Sequence, residues 1–196
     1  MKVLFVIASY LLGAVPTGYL ACRMIAKKDI REFGSRSTGA TNVLRLRGWR
    51  VALPVAVFDV LKGFLPASLA LKIFQDQNWA AGAALAAIIG HTFPVYIKFR
   101  GGKGVAAAMG AYLALSFEPF LAGLGVFVVT IAVTRFVSLG SLLAALSIPV
   151  AYYFLEGPSS LLLWFLAVGA LLVFNHRENI SRLLKGNERR LGEKSS

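Results

Sequence analysis

The chain has 196 residues, of which 57% are hydrophobic, its mean hydropathy is +0.69 and its formal charge is +12. This composition excludes an ordinary soluble protein and predicts a single multi-pass membrane domain over residues 1–196, with a polar tail from about residue 186. A single cysteine and two histidines exclude an internal disulfide and predict no metal site and no cofactor.

Seven apolar runs are predicted to be membrane helices. They lie at residues 3–22, 51–71, 79–97, 105–117, 120–134, 136–155 and 159–174. Because a perpendicular span needs about 20 residues, the fourth and fifth runs are short and need a thinner bilayer or ends buried around a water-filled site. The predicted fold is an all-α integral membrane protein of about seven transmembrane helices, some of them short, with cytoplasmic substrate-binding loops.

Basic residues are unevenly distributed between the spans. If the spans alternate in direction, residues 23–50, 98–103 and 135 and the tail from 177 lie on one side and hold 18 of the 21 Lys and Arg residues. The positive-inside rule places that side in the cytoplasm, with the N-terminus outside. Since this distribution accounts for much of the charge, a membrane is predicted as the partner and nucleic acid is not.

The first polar segment between spans, residues 34–42, contains two glycines, four hydroxyl side chains and an asparagine, and Arg45 follows it. Hydroxyl groups donate hydrogen bonds to phosphate oxygens without adding charge, and arginine binds such oxygens in a bidentate manner. The segment therefore favours a phosphate site. The alternative is a polar loop in which Ser37, Thr38 or Asn42 caps a helix.

Two ionisable residues lie within the second span. Asp59 and Lys62 are three residues apart, so they share a helix face and can pair. Charges inside a span are costly and usually mark a functional or buried structural site. Since the predicted spans contain no other carboxylate, a structural pair that faces the bundle interior is favoured over a proton relay.

The segment 91–105 has the composition of a phosphate-binding loop. Gly101, Gly102 and Gly104 leave the backbone able to adopt positive φ and to approach an anion closely. Lys103 adds positive charge, and a helix beginning at Val105 would direct N–H groups at the anion. A glycine follows the lysine, so the loop is not a Walker A motif. The alternative is a tight turn flanked by basic residues that only set the orientation.

Both histidines lie at predicted cytoplasmic ends of spans. His91 is interpreted either as a hydrogen-bonded packing residue or as part of a site. After the last span, Asn175, Asn179 and Arg182 are predicted to share one helix face, and His176 is three residues before Asn179. The alternative is a basic amphipathic segment that only ends the span, but the cluster of amides and a histidine favours a function.

These three polar segments resemble a known family, the bacterial acyl-phosphate-dependent glycerol-3-phosphate acyltransferases of the inner membrane. The resemblance covers the whole chain, with one motif in each of 34–42, 91–105 and 175–188. The middle motif, His-x-Phe-Pro through Phe-Arg-Gly-Gly-Lys-Gly-Val, is highly specific. In the first motif, Arg36 and Ser37 stand where the family more usually has Gly and Asn.

The resemblance implies transfer of a long-chain acyl group from acyl phosphate to the 1-hydroxyl of glycerol 3-phosphate, giving lysophosphatidic acid and inorganic phosphate at the cytoplasmic face of the inner membrane. The residues expected to hold glycerol 3-phosphate and serve catalysis are Ser35, Arg45, Lys103, His176 and Asn179. Those expected to bind the acyl phosphate are Gly39, Thr41, Asn42, His91, Gly101, Gly102 and Gly104.

No protein dyad is predicted to act as the base. Neither histidine begins a His-x₄-Asp motif, since Tyr96 and Ser181 occupy the fifth positions after them. The base is therefore expected to be a phosphate oxygen of a substrate, with His176 as the alternative. A second class of function, a membrane transporter of phosphate esters or other small anions, is less favoured because no internal repeat or outer basic cluster is visible.

Overall fold

The computed structural model describes residues 1–193, without the side chain of Ala26, and every regular element in this range is helical. Two compact units are present, Met1–Leu115 and Ser116–Glu193. The all-α prediction is confirmed. The prediction of a single domain over the whole chain stays a prediction.

The first unit contains six α-helices. They are α1 (Lys2–Ala14), α2 (Thr17–Ala26), α3 (Ala40–Arg47), α4 (Trp49–Phe74), α5 (Gln77–Thr92) and α6 (Val105–Leu115). Two 3-10 turns, Ile30–Glu32 and Val95–Ile97, lie in the connections. Helix α4 packs against α5 and α6, and α1 packs against α5.

Small residues allow these helices to approach closely. A side chain on Gly63 of α4 would overlap the carbonyl oxygen of Ala107 in α6, and one on Gly110 of α6 would overlap the carbonyl oxygen of Val60 in α4. In a bilayer, such backbone contacts supply packing that hydrophobicity cannot, because the lipid is as apolar as the helix surface. These contacts hold α6 against α4, the helix that carries Asp59 and Lys62.

The second unit contains four helices. They are α7 (Phe117–Thr134), α8 (Val137–Glu156), α9 (Ser160–Asn175) and α10 (Arg177–Leu184). Helix α7 packs along α8, and the rings of Tyr152 in α8 and Phe165 in α9 meet edge to face at 4.9 Å. The chain bends by 59° between α9 and α10.

In the described part of the chain, five segments are long and apolar enough to cross a membrane. They are Lys2–Ile25, Trp49–Phe74, Gln77–Ile97, Phe117–Thr134 and Val137–Glu156, and the bent pair α9 and α10 would make a sixth. Each of the seven predicted runs contains a helix, but only five or six described segments have membrane length, so the count of seven is approximate. The fourth, α6, is short as expected, with 11 residues. The fifth is longer than predicted, since α7 already begins at Phe117 and has 18 residues.

Candidate functional site

The first polar segment forms a compact loop at residues 33–39, here called the serine loop. Asn42 holds it closed: its Oδ1 accepts the backbone N–H of Ser35 at 3.1 Å, and its Nδ2 donates to the carbonyls of Ser37 at 2.9 Å and Phe33 at 3.2 Å. The side chain is buried. Asn42 thus has a structural role that the sequence did not predict, and its predicted contact with substrate stays a prediction.

Helix α3 begins directly after the serine loop. Its N-cap is Gly39, so the alternative that Ser37, Thr38 or Asn42 caps the helix is wrong. Thr41 and Arg45 lie four residues apart and therefore on one face of α3, and both are half-buried, as is Ser35.

Arg31, which is not among the predicted site residues, links the serine loop to the next motif. Arg31 pairs with Asp29 at 2.7 Å and donates to the carbonyl of Ile97 at 2.9 Å. The hydrogen bonds from Arg31 lower the pKa of Asp29 more than burial raises it, so the pKa of this carboxyl lies below its ordinary value. The connection before the serine loop is thus fastened to the 3-10 turn that precedes the glycines.

Residues 98–104, here called the glycine loop, fold back onto the end of α5. The N–H of Gly101 donates to the carbonyl of Thr92 at 3.1 Å, and the N–H of Gly102 donates to the carbonyl of His91 at 3.0 Å. The carbonyl of Gly101 accepts the N–H of Thr38 at 3.4 Å. The structure therefore places the first and second predicted motifs side by side.

The predicted positive φ is confirmed at one of the three glycines of this loop. Positive φ occurs at Gly104, where φ is 89°, but not at Gly101 or Gly102. A side chain on Gly102 would overlap Nε2 of the His91 ring. Because the N–H groups of Gly101 and Gly102 already bond to carbonyls, the amides best placed for an anion are those that begin α6.

Helix α6 begins at Val105, as predicted. Its first N–H groups have no carbonyl partner within the helix, so they and the helix dipole favour an anion. Lys103, which is half-buried, immediately precedes this helix end.

A buried polar cluster lies behind the glycine loop. The predicted pair is confirmed: Lys62 Nζ is 2.7 Å from Asp59 Oδ1, and both side chains are at most 5% exposed. Thr17 donates to the same Asp59 oxygen at 2.5 Å, and Lys62 also donates to the carbonyl of Val15 at 2.5 Å. That carbonyl is accessible because the chain breaks between α1 and α2 at Pro16.

His91 joins this cluster. Its Nδ1 lies 3.6 Å from Asp59 Oδ1, and its ring is 5% exposed. A carboxylate therefore stands beside a histidine even though no His-x₄-Asp spacing exists. Sequence spacing does not predict this pair, because the two residues belong to different helices and are far apart in sequence.

In the second unit, His176 lies at the break between α9 and α10. Its Nδ1 is 2.7 Å from the carbonyl of Leu172. Since a carbonyl can only accept, Nδ1 carries the proton, and Nε2 is the acceptor in the neutral ring. Asn175 ends α9, so the prediction that it shares one continuous helix face with Asn179 and Arg182 is wrong.

Asn179 and Arg182 do share a face of α10, and both bind a carboxylate that was not predicted as a site residue. Glu188 Oε1 accepts from Asn179 at 2.7 Å and from Ser138 at 2.9 Å, and Oε2 accepts from Arg182 at 2.8 Å. Burial raises the pKa of Glu188, but these hydrogen bonds outweigh it and the net shift is downward. The available signal was its place at the end of the third motif, where carboxylates are few.

We expect Glu188→Gln to lower the free energy of unfolding by about 2 kcal/mol, because hydrogen bonds to a charged acceptor become bonds to a neutral one. Activity should fall as well, since the amide of Asn179 loses its fixed orientation. The measurements are thermal unfolding in detergent and kcat/KM. Because the pKa of Glu188 in the folded protein lies below its ordinary 4.5, its contribution is present above that pH and is lost as the pH falls through the folded pKa.

Glu178→Gln is the matched control. Its carboxylate is 75% exposed and 3.9 Å from the same Arg182, and such exposed pairs contribute little to stability. Equal effects of the two substitutions would show that Glu188 does not hold α10. The gap in stability between wild type and Glu188→Gln should also shrink in acid.

The predicted site residues are divided between the two units. Ser35, Arg45 and Lys103 and all seven predicted acyl-phosphate contacts lie in the first unit, and His176 and Asn179 lie in the second. Among residues 1–193 no group of three or more His, Cys, Asp or Glu side chains could hold a metal ion. The independence from metal stays a prediction.

Comparison with known proteins gives consistent similarities. The model of the glycerol-3-phosphate acyltransferase family matches residues 3–186. A glycerol-3-phosphate acyltransferase of Gloeobacter violaceus is 45% identical over 190 residues, covering 95% of this chain and 93% of the relative. One from Prochlorococcus marinus strain NATL2A is 43% identical over 197 residues, covering 98% and 100%.

Two solved structures are also similar. The crystal structure of PlsY, an integral membrane glycerol 3-phosphate acyltransferase, in its glycerol 3-phosphate form superposes with a TM-score of 0.93 at 38% identity, covering 97% of this chain and 96% of that one. Its lysophosphatidic acid form superposes with a TM-score of 0.90, covering 97% and 95%.

Proposed function

The chain belongs to the glycerol-3-phosphate acyltransferase family, and on this premise we propose that it transfers a fatty acyl group from acyl phosphate to the 1-hydroxyl of glycerol 3-phosphate. The products are lysophosphatidic acid and inorganic phosphate, as in the first step of phospholipid synthesis. The enzyme is an integral membrane protein with several apolar helices. We place it in the bacterial inner membrane, with its site at the cytoplasmic face that the basic segments predict.

The observation that carries this proposal is the junction of two motifs in the first unit. The serine loop and the glycine loop meet through Thr38 and Gly101, and the glycine loop contains Lys103 and leads directly into the N-terminus of α6. Hydroxyl groups, backbone amides and a cation are thereby concentrated in one place, and few carboxylates oppose them. This chemistry suits phosphate-bearing substrates.

We assign the binding of glycerol 3-phosphate to a set of hydroxyl, basic and amide side chains. Those that would hold it are Ser35, Arg45, Lys103, His176 and Asn179. Thr41, Asn42, His91 and the glycines would shape the acyl-phosphate site. The amides at the start of α6 are better donors to that phosphate than those of Gly101 and Gly102, which already donate to backbone carbonyls.

The chemistry requires little covalent help from the protein. The glycerol hydroxyl oxygen attacks the acyl carbon, the bond from that carbon to the phosphate oxygen breaks, and inorganic phosphate leaves. An acyl phosphate is a mixed anhydride with a good leaving group, so positioning and charge neutralisation supply much of the rate. The hydroxyl proton passes to a phosphate oxygen of a substrate. Nε2 of His176 is the alternative acceptor, and full turnover by His176→Ala would exclude it.

The test is a donor assay with purified protein. We expect glycerol 3-phosphate and palmitoyl phosphate to give equal amounts of inorganic phosphate and lysophosphatidic acid in the presence of EDTA, and palmitoyl-CoA to give no product. Product from the CoA thioester would overturn the proposed donor. Absence of product from both donors, with labelled glycerol 3-phosphate accumulating inside vesicles, would instead favour a transporter.

A further inference from the structure

The ion pair inside the membrane is connected to the glycine loop through one side chain. His91 lies at the end of α5, with Nδ1 facing Asp59 Oδ1 at 3.6 Å and Nε2 at the position where a side chain on Gly102 would stand. One ring therefore faces the buried carboxylate on one side and Gly102 of the glycine loop on the other.

Asp59 is well placed to hold a donor. Its Oδ1 already accepts hydrogen bonds from Thr17 Oγ1 in α2 and from Lys62 Nζ in α4. A carboxylate oxygen has no proton to offer His91 while it is ionised beside Lys62. The only favourable state of Nδ1 next to it is the protonated one, which leaves Nε2 directed at the glycine loop.

We propose that Asp59 is a positioning residue for the acyl transfer: by attracting the Nδ1–H group of His91 it fixes the tautomer and the orientation of the ring that supports Gly102. The inference rests on the proposed function, because the anion site that the glycine loop borders is the one assigned above. The 3.6 Å separation is longer than a hydrogen bond. Such contacts commonly shorten when substrate closes the site.

A purely structural role for the ion pair of Asp59 and Lys62 predicts a different experimental result. In that case Asp59 exists to neutralise Lys62, and removing both charges together should leave a working enzyme, because apolar replacements of a buried ion pair are often neutral or stabilising. If Asp59 acts through His91, removing the pair leaves Nδ1 without its acceptor even though the bundle is intact.

Two double variants separate these claims. Asp59→Leu with Lys62→Met removes both charges and the acceptor, and we expect kcat/KM to fall about 100-fold, the loss that a misplacement of about 1 Å can cause. Asp59→Asn with Lys62→Met removes the same charges but keeps an oxygen that can accept from Nδ1–H. We expect it to recover at least about tenfold of that loss.

The tautomer of His91 can be measured by NMR independently of enzyme activity. The chain has two histidines, so ¹⁵N-histidine NMR gives two ring systems, and a His91→Gln sample assigns them. In the wild type and the asparagine variant we expect His91 to be protonated at Nδ1, and in the leucine variant a mixture of tautomers. Wild-type His91 protonated at Nε2 alone would overturn the proposal even if neither variant folded.

Enzyme activity is the second test of whether Asp59 positions His91. Wild-type turnover with acyl phosphate tests the proposed function by itself, so its failure is distinguishable from failure of this inference. Full activity in the leucine variant would reduce the ion pair to a structural role. Equal losses in both double variants, with the His91 tautomer unchanged, would also overturn positioning by Asp59.

Discussion

Gly102→Ala should reduce kcat/KM by about 100-fold, because a methyl group cannot share its position with the His91 ring and a shift of about 1 Å in a substrate-binding loop can cost that much. The added Cβ would overlap His91 Nε2, so either the ring or the loop must move. Because the N–H of Gly102 donates to the His91 carbonyl, a moving loop also weakens that bond. The measurement is steady-state turnover with acyl phosphate and glycerol 3-phosphate.

Gly125→Ala is the matched control for this substitution. Gly125 lies in α7, where a side chain would meet no atom within 4 Å apart from its chain neighbours and the backbone of its own helix turns, and alanine is the better helix former by about 1 kcal/mol. This variant should keep wild-type activity and equal or higher thermal stability. If Gly102→Ala also kept wild-type activity, the close fit between His91 and the glycine loop would have no functional importance.

Lys103→Met should lower kcat/KM by about 100- to 1000-fold, the usual cost of removing one preorganised group that stabilises developing negative charge. Lys103 is half-buried and directly precedes the N-terminus of α6, where its charge reinforces the helix dipole. Since it is assigned to glycerol 3-phosphate, the KM for that substrate should rise more than the KM for acyl phosphate. Turnover with each substrate varied in turn measures the two constants.

Lys72→Met controls for the loss of one positive charge. Lys72 is exposed in the last turn of α4, on the side that the charge distribution predicts to be extracytoplasmic, and its removal should leave kcat/KM within about twofold because exposed charges contribute little. A loss shared equally by the two lysine variants would point to a general effect of net charge, and the specific role of Lys103 would then be wrong.

The sequence determined the features that depend on composition and local pattern. A hydrophobic content of 57% and runs of membrane length indicated an all-α membrane protein, because every backbone group in a bilayer must be bonded within a helix or a closed barrel. The spacing of Asp59 and Lys62 predicted their pairing, since residues three apart share a helix face. The change from glycines to an apolar run located the start of α6.

The tertiary structure decided everything that depends on residues far apart in the chain. The sequence predicts a substrate contact for Asn42, and the structure adds that its amide closes the serine loop. Glu188 is not among the predicted site residues, yet it accepts hydrogen bonds from α8 and α10. Neither set of hydrogen-bond partners follows a helical period, so the spacing of residues in the sequence could not identify these partners.

The pairing of His91 with Asp59 shows the same limit most clearly. Their contact requires that α4 and α5 pack with a particular rotation about their axes, and that rotation is set by small residues at many points of contact. The sequence could show that a buried charge and a histidine were present. Only the packing of the helices could place one against the other and both behind the glycine loop.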